Sequence, residues 1–216
     1  MSGFFYYLMT FAESIASVVG IHSVYEQPRY EVLQHLGQSV EIRRYEPRVA
    51  IEAVIEGKNR DRAASEAFGL LFRYITGANQ RQEKIAMTAP VRTESSSERI
   101  AMTAPVQTAT SPSGTLSMRF YLPRSVAKAG APAPLDPHLH LVDVPATTVA
   151  VVRYSGVDNE SLRTEERGVL LAALAGSRWK PDGEVFQMYY DPPFTVPFLR
   201  RNEVAVPVTR QQSAAK

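Results

Sequence analysis

Two stretches in this chain change hydrophobic period in the same way, and that constrains the fold more than anything else in it. "NRDRAASEAFGLLFRYITG" (59–77) sets Ala64, Phe68, Leu71, Phe72 and Ile75 at helical spacing and ends at Gly77. "NESLRTEERGVLLAALAGS" (159–177) does the same with Leu162, Val169, Leu170, Ala173 and Leu174, and ends at Gly176. Apolar residues at i, i+3, i+4 and i+7 read as one buried helical stripe, and a glycine just past the last of them is a common stop. Each helix stands among runs that alternate with period 2. "YEVLQHL" and "SVEIRRYEPRVAIEAVI", broken at Pro47, precede the first helix, and "LSMRFYLP" (116–123) follows it. "LHLVDVPATTVAVVRYSG" (139–156) precedes the second, which "EVFQMYYD" and "NEVAVPV" follow. Alternation in segments rich in β-branched residues predicts strands. Strands segregated from two long helices predict an α+β fold whose helices cover one sheet or the outside of a curled barrel.

Between the first helix and the next clear strand lies "EKIAMTAPVRTESSSERIAMTAPVQT" (83–108). Glu83–Val91 returns as Glu98–Val106 with only Lys84 changed, to Arg99. Each I-A-M-T-A-P-V alternates, so Ile85, Met87, Ala89 and Val91 are expected on one face of a strand, and Ile100, Met102, Ala104 and Val106 on one face of the next. Paired as a hairpin about Ser95–Ser96, the two rows fall on the same side, and a one-residue slip would turn one of them over. Pro90 and Pro105 lack a ladder donor and belong at edges or bulges. A phrase of Ile, Ala, Met, Pro and Val holds no base and no nucleophile beyond a threonine hydroxyl. It reads as scaffold.

The remaining segments divide the chain into 1–27, an apolar N-terminal segment with a linker; 28–210, the domain; and 211–216, a tail. "FFYYLMTFAESIASVVGI" (4–21) is marginal in length for a membrane span, carries Glu13 at its centre and has no Lys or Arg before it. Three readings stay open for it: a membrane or interfacial anchor, a cleaved export signal, or a helix packed on the domain. The compartment stays open with them, between cytoplasmic, membrane-associated and exported. "SVYEQPRY" (23–30) reads as a linker, and Ser125–Pro137 as a Pro/Ala-rich connection.

Composition removes several function classes. Twenty-four basic against 22 acidic residues leave a net charge of +2, so no global field points to nucleic acid. No cysteine is present, which excludes disulfides, thiolate metal sites and a thiolate haem ligand. No Gly-rich phosphate loop, zinc signature or nucleophile elbow occurs. His138 and His140, two apart on an expected strand, face the same way, and a pair alone does not close a metal site. His22 and His35 are isolated. Tyr189 and Tyr190 could offer a phenolate to ferric iron, though aromatic strand packing is the simpler role. In "RRNEV", Arg200, Arg201 and Glu203 read either as ends of the last strand or as an arginine fork for an anionic ligand.

Taken together, "IAMTAPV" after a helix, the opening "YEVLQHLGQSVEIRRYEP" and the late "VFQMYYDPPFTVPFLRRNEVAV" resemble the SOUL/haem-binding protein family over about residues 28–208. The doubled IAMTAPV resembles its bacterial members. The resemblance implies a duplicated β-α-β-β unit forming a distorted β-barrel flanked by two long helices, similar to GyrI-like ligand-binding domains. It implies the binding of haem or another tetrapyrrole in a shallow apolar groove beside the first helix, as a carrier or buffer, and leaves open whether the chain is also an enzyme. Carried onto this chain, the groove falls near Phe68, Leu71 and Phe72, with Arg73 placed to meet a propionate. Two departures matter. Ser65 stands where the family has an arginine, and Arg44 replaces the histidine that vertebrate relatives show in E-I-R-H-Y; a guanidinium stays protonated and cannot ligate iron. Two alternatives are carried with this reading: an enzyme acting on haem or another small hydrophobic molecule, for which no base and nucleophile pair is visible, and an interaction module at a membrane through residues 4–21.

Overall fold

A computed structural model describes residues 25–56, 59–80, 97–191 and 195–211. The apolar segment 4–21 and the first copy of the repeated phrase, with the hairpin expected from it, lie outside the described residues. Contacts divide the chain into two compact units.

The first unit comprises the described parts of Met1–Glu46, Ala104–Ala109 and Ala146–Lys216. Its strands are β1 (Tyr30–Leu36), β2 (Val40–Tyr45), β5 (Val106–Thr110, of which the residues to Ala109 belong here), β9 (Thr147–Tyr154), β10 (Trp179–Pro181), β11 (Phe186–Tyr189) and β12 (Asn202–Arg210). The order is β1-β2-β9-β12-β11-β5, with β10 also on β12, and every pairing is antiparallel. Gly37 makes the β1–β2 turn at φ 65°, a left-handed value that a side chain disfavours. Helix α3 (Glu160–Ala175) lays Leu170 and Leu174 on Val40, Ile42, Val152, Val204 and Val206. Val149, Val151 and Ala205, alternating with these, join Tyr45, Met188 and Tyr190 in a second apolar cluster.

The second unit comprises the described parts of Pro47–Thr103 and Thr110–Pro145. Here β6 (Leu116–Tyr121), β3 (Arg48–Ile55) and β8 (Leu139–Val144) form an antiparallel sheet in that order, with β3 central. Helix α1 (Arg60–Ile75) packs on β3 and β6. A short helix α2 (Arg124–Ala129) and a two-residue pairing of β4 (Asn79–Gln80) with β7 (Ala133–Pro134) complete it.

The two long helices are built alike. Each has 16 residues and an asparagine N-cap: the Asn59 side chain accepts from the Arg62 N–H, and that of Asn159 from the Leu162 N–H, both at 2.9 Å. Strand, helix and strand order agree with the sequence reading, and the fold class is α+β as expected.

Several expectations are corrected. The buried stripe of α1 is Ala63, Ala67, Leu70, Leu71, Tyr74 and Ile75, rotated away from Ala64, Phe68 and Phe72. Tyr74 can be buried because its hydroxyl donates to the Pro132 carbonyl at 2.7 Å, and two alanines let the helix sit close to the sheet. The helix cap is Thr76, with Gly77 following at φ 122°. On α3, Val169 is exposed. The second I-A-M-T-A-P-V copy is not a strand until Val106; Thr103, Ala104 and Pro105 are buried in succession, which breaks the alternation. The connection 125–137 contains β7 and most of α2, and the described part of the linker, from Tyr25 on, is docked, with the Ala104 N–H donating to the Glu26 carbonyl at 3.1 Å.

Candidate functional site

Alternation along β6 directs Leu116, Met118 and Phe120 to one face and Ser117 and Arg119 to the other. The second set converges on Glu52 of β3: Ser117 Oγ donates to its Oε1 at 2.5 Å and Arg119 Nε to the same oxygen at 2.7 Å. The first set lies under α1, where the Phe68 ring meets buried Phe120 edge-on, with centroids 5.4 Å apart. One turn on, Phe72 stacks beside Phe68 at 6.1 Å with the planes 12° apart. Aromatic rings of this kind are usually buried, yet Phe68 is 40% and Phe72 46% exposed. They form an apolar platform of two nearly parallel rings propped by a third.

The four residues expected at the groove therefore separate. Phe68 and Phe72 stand together at the surface. Leu71, between them in sequence, is fully buried on the core side of the helix and presents no face of its own. Arg73 lies about 100° round the helix from Phe72 at 3.6 residues per turn, on the flank of Leu70 and Tyr74. There its guanidinium lies 4.0 Å from Asp136, and both line a cavity of about 180 Å3 together with Leu70, Tyr74 and Leu139. Asp136 accepts from the His138 N–H at 3.0 Å and contacts its Nδ1 at 3.0 Å; these bonds hold the carboxyl below its ordinary range. Ser65 turns its hydroxyl back onto the Asp61 carbonyl at 2.9 Å. Phe120 was not singled out from the sequence. Its place opposite Ser117 and Arg119 in the alternation of "LSMRFYLP" is the signal that could have found it.

The tyrosines and the charged residues around Glu203, all in the first unit, are committed to structure. Glu203 is wholly buried and accepts from Arg43, Arg201 and Tyr190. Burial, then the Glu203 charge, pushes the Tyr190 phenol well above its ordinary range, so it is no ready phenolate. Tyr189 donates to Asp158 at 3.0 Å, and Asp158 also accepts a hydrogen bond from the Tyr154 hydroxyl at 3.2 Å and pairs with Arg163 at 2.5 Å. Arg200 donates to the Thr195 carbonyl. Arg44 and His35 are exposed on their strands, His140 is exposed on β8, and His138 lies in the turn before it. Among the described residues no group of three or more His, Cys, Asp or Glu could hold a metal, and no helix is long and apolar enough to cross a membrane.

Comparison with known proteins follows the same line. A family model described as SOUL heme-binding protein matches residues 25–207. "Heme-binding protein 2" of Homo sapiens is 30% identical over 171 residues, covering 77% of this chain and 76% of that protein. "Heme-binding protein 1" of Xenopus tropicalis is 28% identical over 168 residues, covering 78% and 83%. Among solved structures, the EcmrR C-terminal domain superposes with a TM-score of 0.57 at 9% identity, over 84% of this chain and 99% of that one. A hydrolase from Listeria innocua superposes at 0.51 and 11% identity, over 80% and 92%. At such identities the likeness is one of fold.

Proposed function

This chain belongs to the SOUL heme-binding protein family, and from that premise we propose that it binds haem or another tetrapyrrole on the α1 flank that presents Phe68 and Phe72. The observation that carries the reading is the exposed, near-parallel pair itself, propped by Phe120. Leaving two phenylalanines half in water is unfavourable, and covering them with a flat apolar ring system recovers that cost at about 25 cal/mol per Å2 buried. A tetrapyrrole fits such a platform by shape and needs no coordinate bond to it. The residues contribute a face on which the ring lies, a buried anchor in Leu71 that fixes the helix, and exclusion of water from one side of the macrocycle. A shallow surface site suits a role as carrier or buffer, because the ligand can be released without any part of the chain opening over it.

The test is a titration of the full chain with haemin, read by the visible absorbance of the bound pigment. Saturable binding at about micromolar concentration, a free energy near −8 kcal/mol, supports the proposal. A linear absorbance change, or binding untouched when Phe68 and Phe72 are both replaced by alanine, would sink it.

A further inference from the structure

The repeated phrase has a second part to play. Its second copy is tied at both ends to the elements that carry the aromatic platform. At one end, the Ile100 N–H donates to the Ile75 carbonyl in the last turn of α1, at 2.8 Å. Just before it, Asn79 clasps Glu98: its Oδ1 accepts from the Glu98 N–H at 2.9 Å, and its Nδ2 donates to the Glu98 and Tyr74 carbonyls, each at 2.7 Å. At the other end, the Thr103 hydroxyl donates to the carbonyl of Tyr121, the residue next to the Phe120 on which Phe68 rests.

The lengths of the two paths agree. Ile75 and Phe68 lie on the same flank of α1, about 20° apart in projection and about 10 Å apart along the axis at 1.5 Å per residue. Three residues of extended chain, Ile100 to Thr103, reach at most about 10 Å. The segment is tied to the Ile75 carbonyl at one end and to the Tyr121 carbonyl at the other, which keeps Ala101 and Met102 within about 10 Å of both tethers. Ile100 and Thr103 are buried at its ends, while Ala101 is exposed and Met102 is half-buried between them.

We infer that Ala101 and Met102 form the second wall of the groove whose first wall is Phe68 and Phe72, with Arg99 at the Ile75 end as the cation that meets a ring carboxylate. This rests on the tetrapyrrole reading above and deepens it. Alanine leaves room for a wide, flat ligand to slide against the backbone. Methionine is unbranched and polarisable, and it conforms to an aromatic face that a β-branched side chain would hold off. Arg99 is exposed and precedes the tethered Ile100. Arg73, by contrast, extends over Gly69 and Asp136 on the opposite flank. At the single difference between the two copies of the phrase, Lys84 against Arg99, the second copy carries the planar guanidinium, which is suited to a carboxylate.

The experiment titrates the full chain with haemin and with metal-free protoporphyrin IX, comparing Phe72→Ala, Met102→Glu, Met102→Leu, Arg99→Ala and Arg73→Ala, with folding followed by circular dichroism. Met102→Glu should weaken both pigments about tenfold or more, while Met102→Leu stays within about threefold of the parent. Arg99→Ala should weaken binding more than Arg73→Ala does. If Phe72→Ala weakens binding and Met102→Glu leaves it unchanged, the second wall is wrong and the platform stands. If Phe72→Ala changes nothing, the site itself is wrong. Loss of haemin binding alone in Met102→Leu would make Met102 an iron ligand and overturn the wall. Should Met102→Glu fail to fold, Met102→Ala reads the same wall without added charge, and unchanged affinity there overturns the inference.

Discussion

Arg43 and Glu203, 160 residues apart in the chain, meet at 2.9 Å with the Glu203 side chain wholly excluded from solvent. The carboxylate also accepts from the Tyr190 hydroxyl at 2.8 Å and from Arg201 at 2.7 and 3.0 Å. Each guanidinium covers a tyrosine ring, Arg201 over Tyr190 at 3.8 Å and Arg43 over Tyr30 at 4.6 Å. Burial pulls the Arg43 pKa down, but the Glu203 charge and hydrogen bond outweigh it, and the net shift is upward. Removing one member of such a group strands the others. Glu203→Ala should therefore cost about 3–5 kcal/mol of stability, measured by denaturant unfolding. A loss below about 1 kcal/mol would show the arginines finding other partners.

Alkaline stability tests the buried phenols. Burial raises the pKa of Tyr45, Tyr74, Tyr154 and Tyr190 above the ordinary 10.0, and the nearby Glu203, Glu98 or Asp158 adds to it. In the folded chain these groups keep their protons at a pH where the unfolded chain has lost them. Their contribution is thus fully present below pH 10 and is lost as pH rises from there through the folded values. Tyrosinate absorbance should show these four lagging the exposed tyrosines and appearing together with unfolding. Early titration of all tyrosines, without loss of helix signal, would contradict their burial.

Phe72 separates binding from stability. Because its ring is 46% exposed, Phe72→Ala should cost less than about 1–2 kcal/mol in unfolding, well short of the ~3–5 kcal/mol of a core phenylalanine. The same change should weaken haemin and protoporphyrin alike, by about five- to tenfold. A large stability loss would mean that the ring is core.

Iron should matter little. Metal-free protoporphyrin is expected to bind within about tenfold of haem, a gap of ~1.4 kcal/mol, and alanine at His35, His138 or His140 should change neither. Competition between the two pigments measures the ratio directly. One histidine variant that loses haem and keeps protoporphyrin would replace the apolar groove with a ligand-centred site.

The repeated phrase makes a graded prediction. Ile100 is 6% exposed, so Ile100→Ala should cost about 2–5 kcal/mol. Met102 is only half-buried, and Met102→Ala should cost clearly less. Equal losses would place both residues in the core as the alternation of the phrase implies.

Periodicity by itself determines most of the fold. Two helical stripes set among alternating strands permit few arrangements, and 59–77 and 159–177 became α1 and α3 to within a residue or two. The family resemblance was legible for a related reason: "IAMTAPV" and "YYDPP" with "RRNEV" are specific words, and words survive in a linear text. Which side of a helix faces inward is a different kind of fact. The α1 pattern is apolar over a wide arc, and only the sheet beneath it, with the Pro132 carbonyl ready to accept from Tyr74, made Tyr74 core and left Phe68 and Phe72 outside. The same limit applied to Arg73, one residue from Phe72 in sequence and about 100° away in space. It applied also to Glu203, read as a strand end yet met by Arg43 from β2 in the dark of the first unit. Local periodicity is set by the backbone of one segment, so sequence alone determines it. Burial, pairing of charges and the walls of a groove depend on what another segment brings to the same place, and that is settled only when the chain folds.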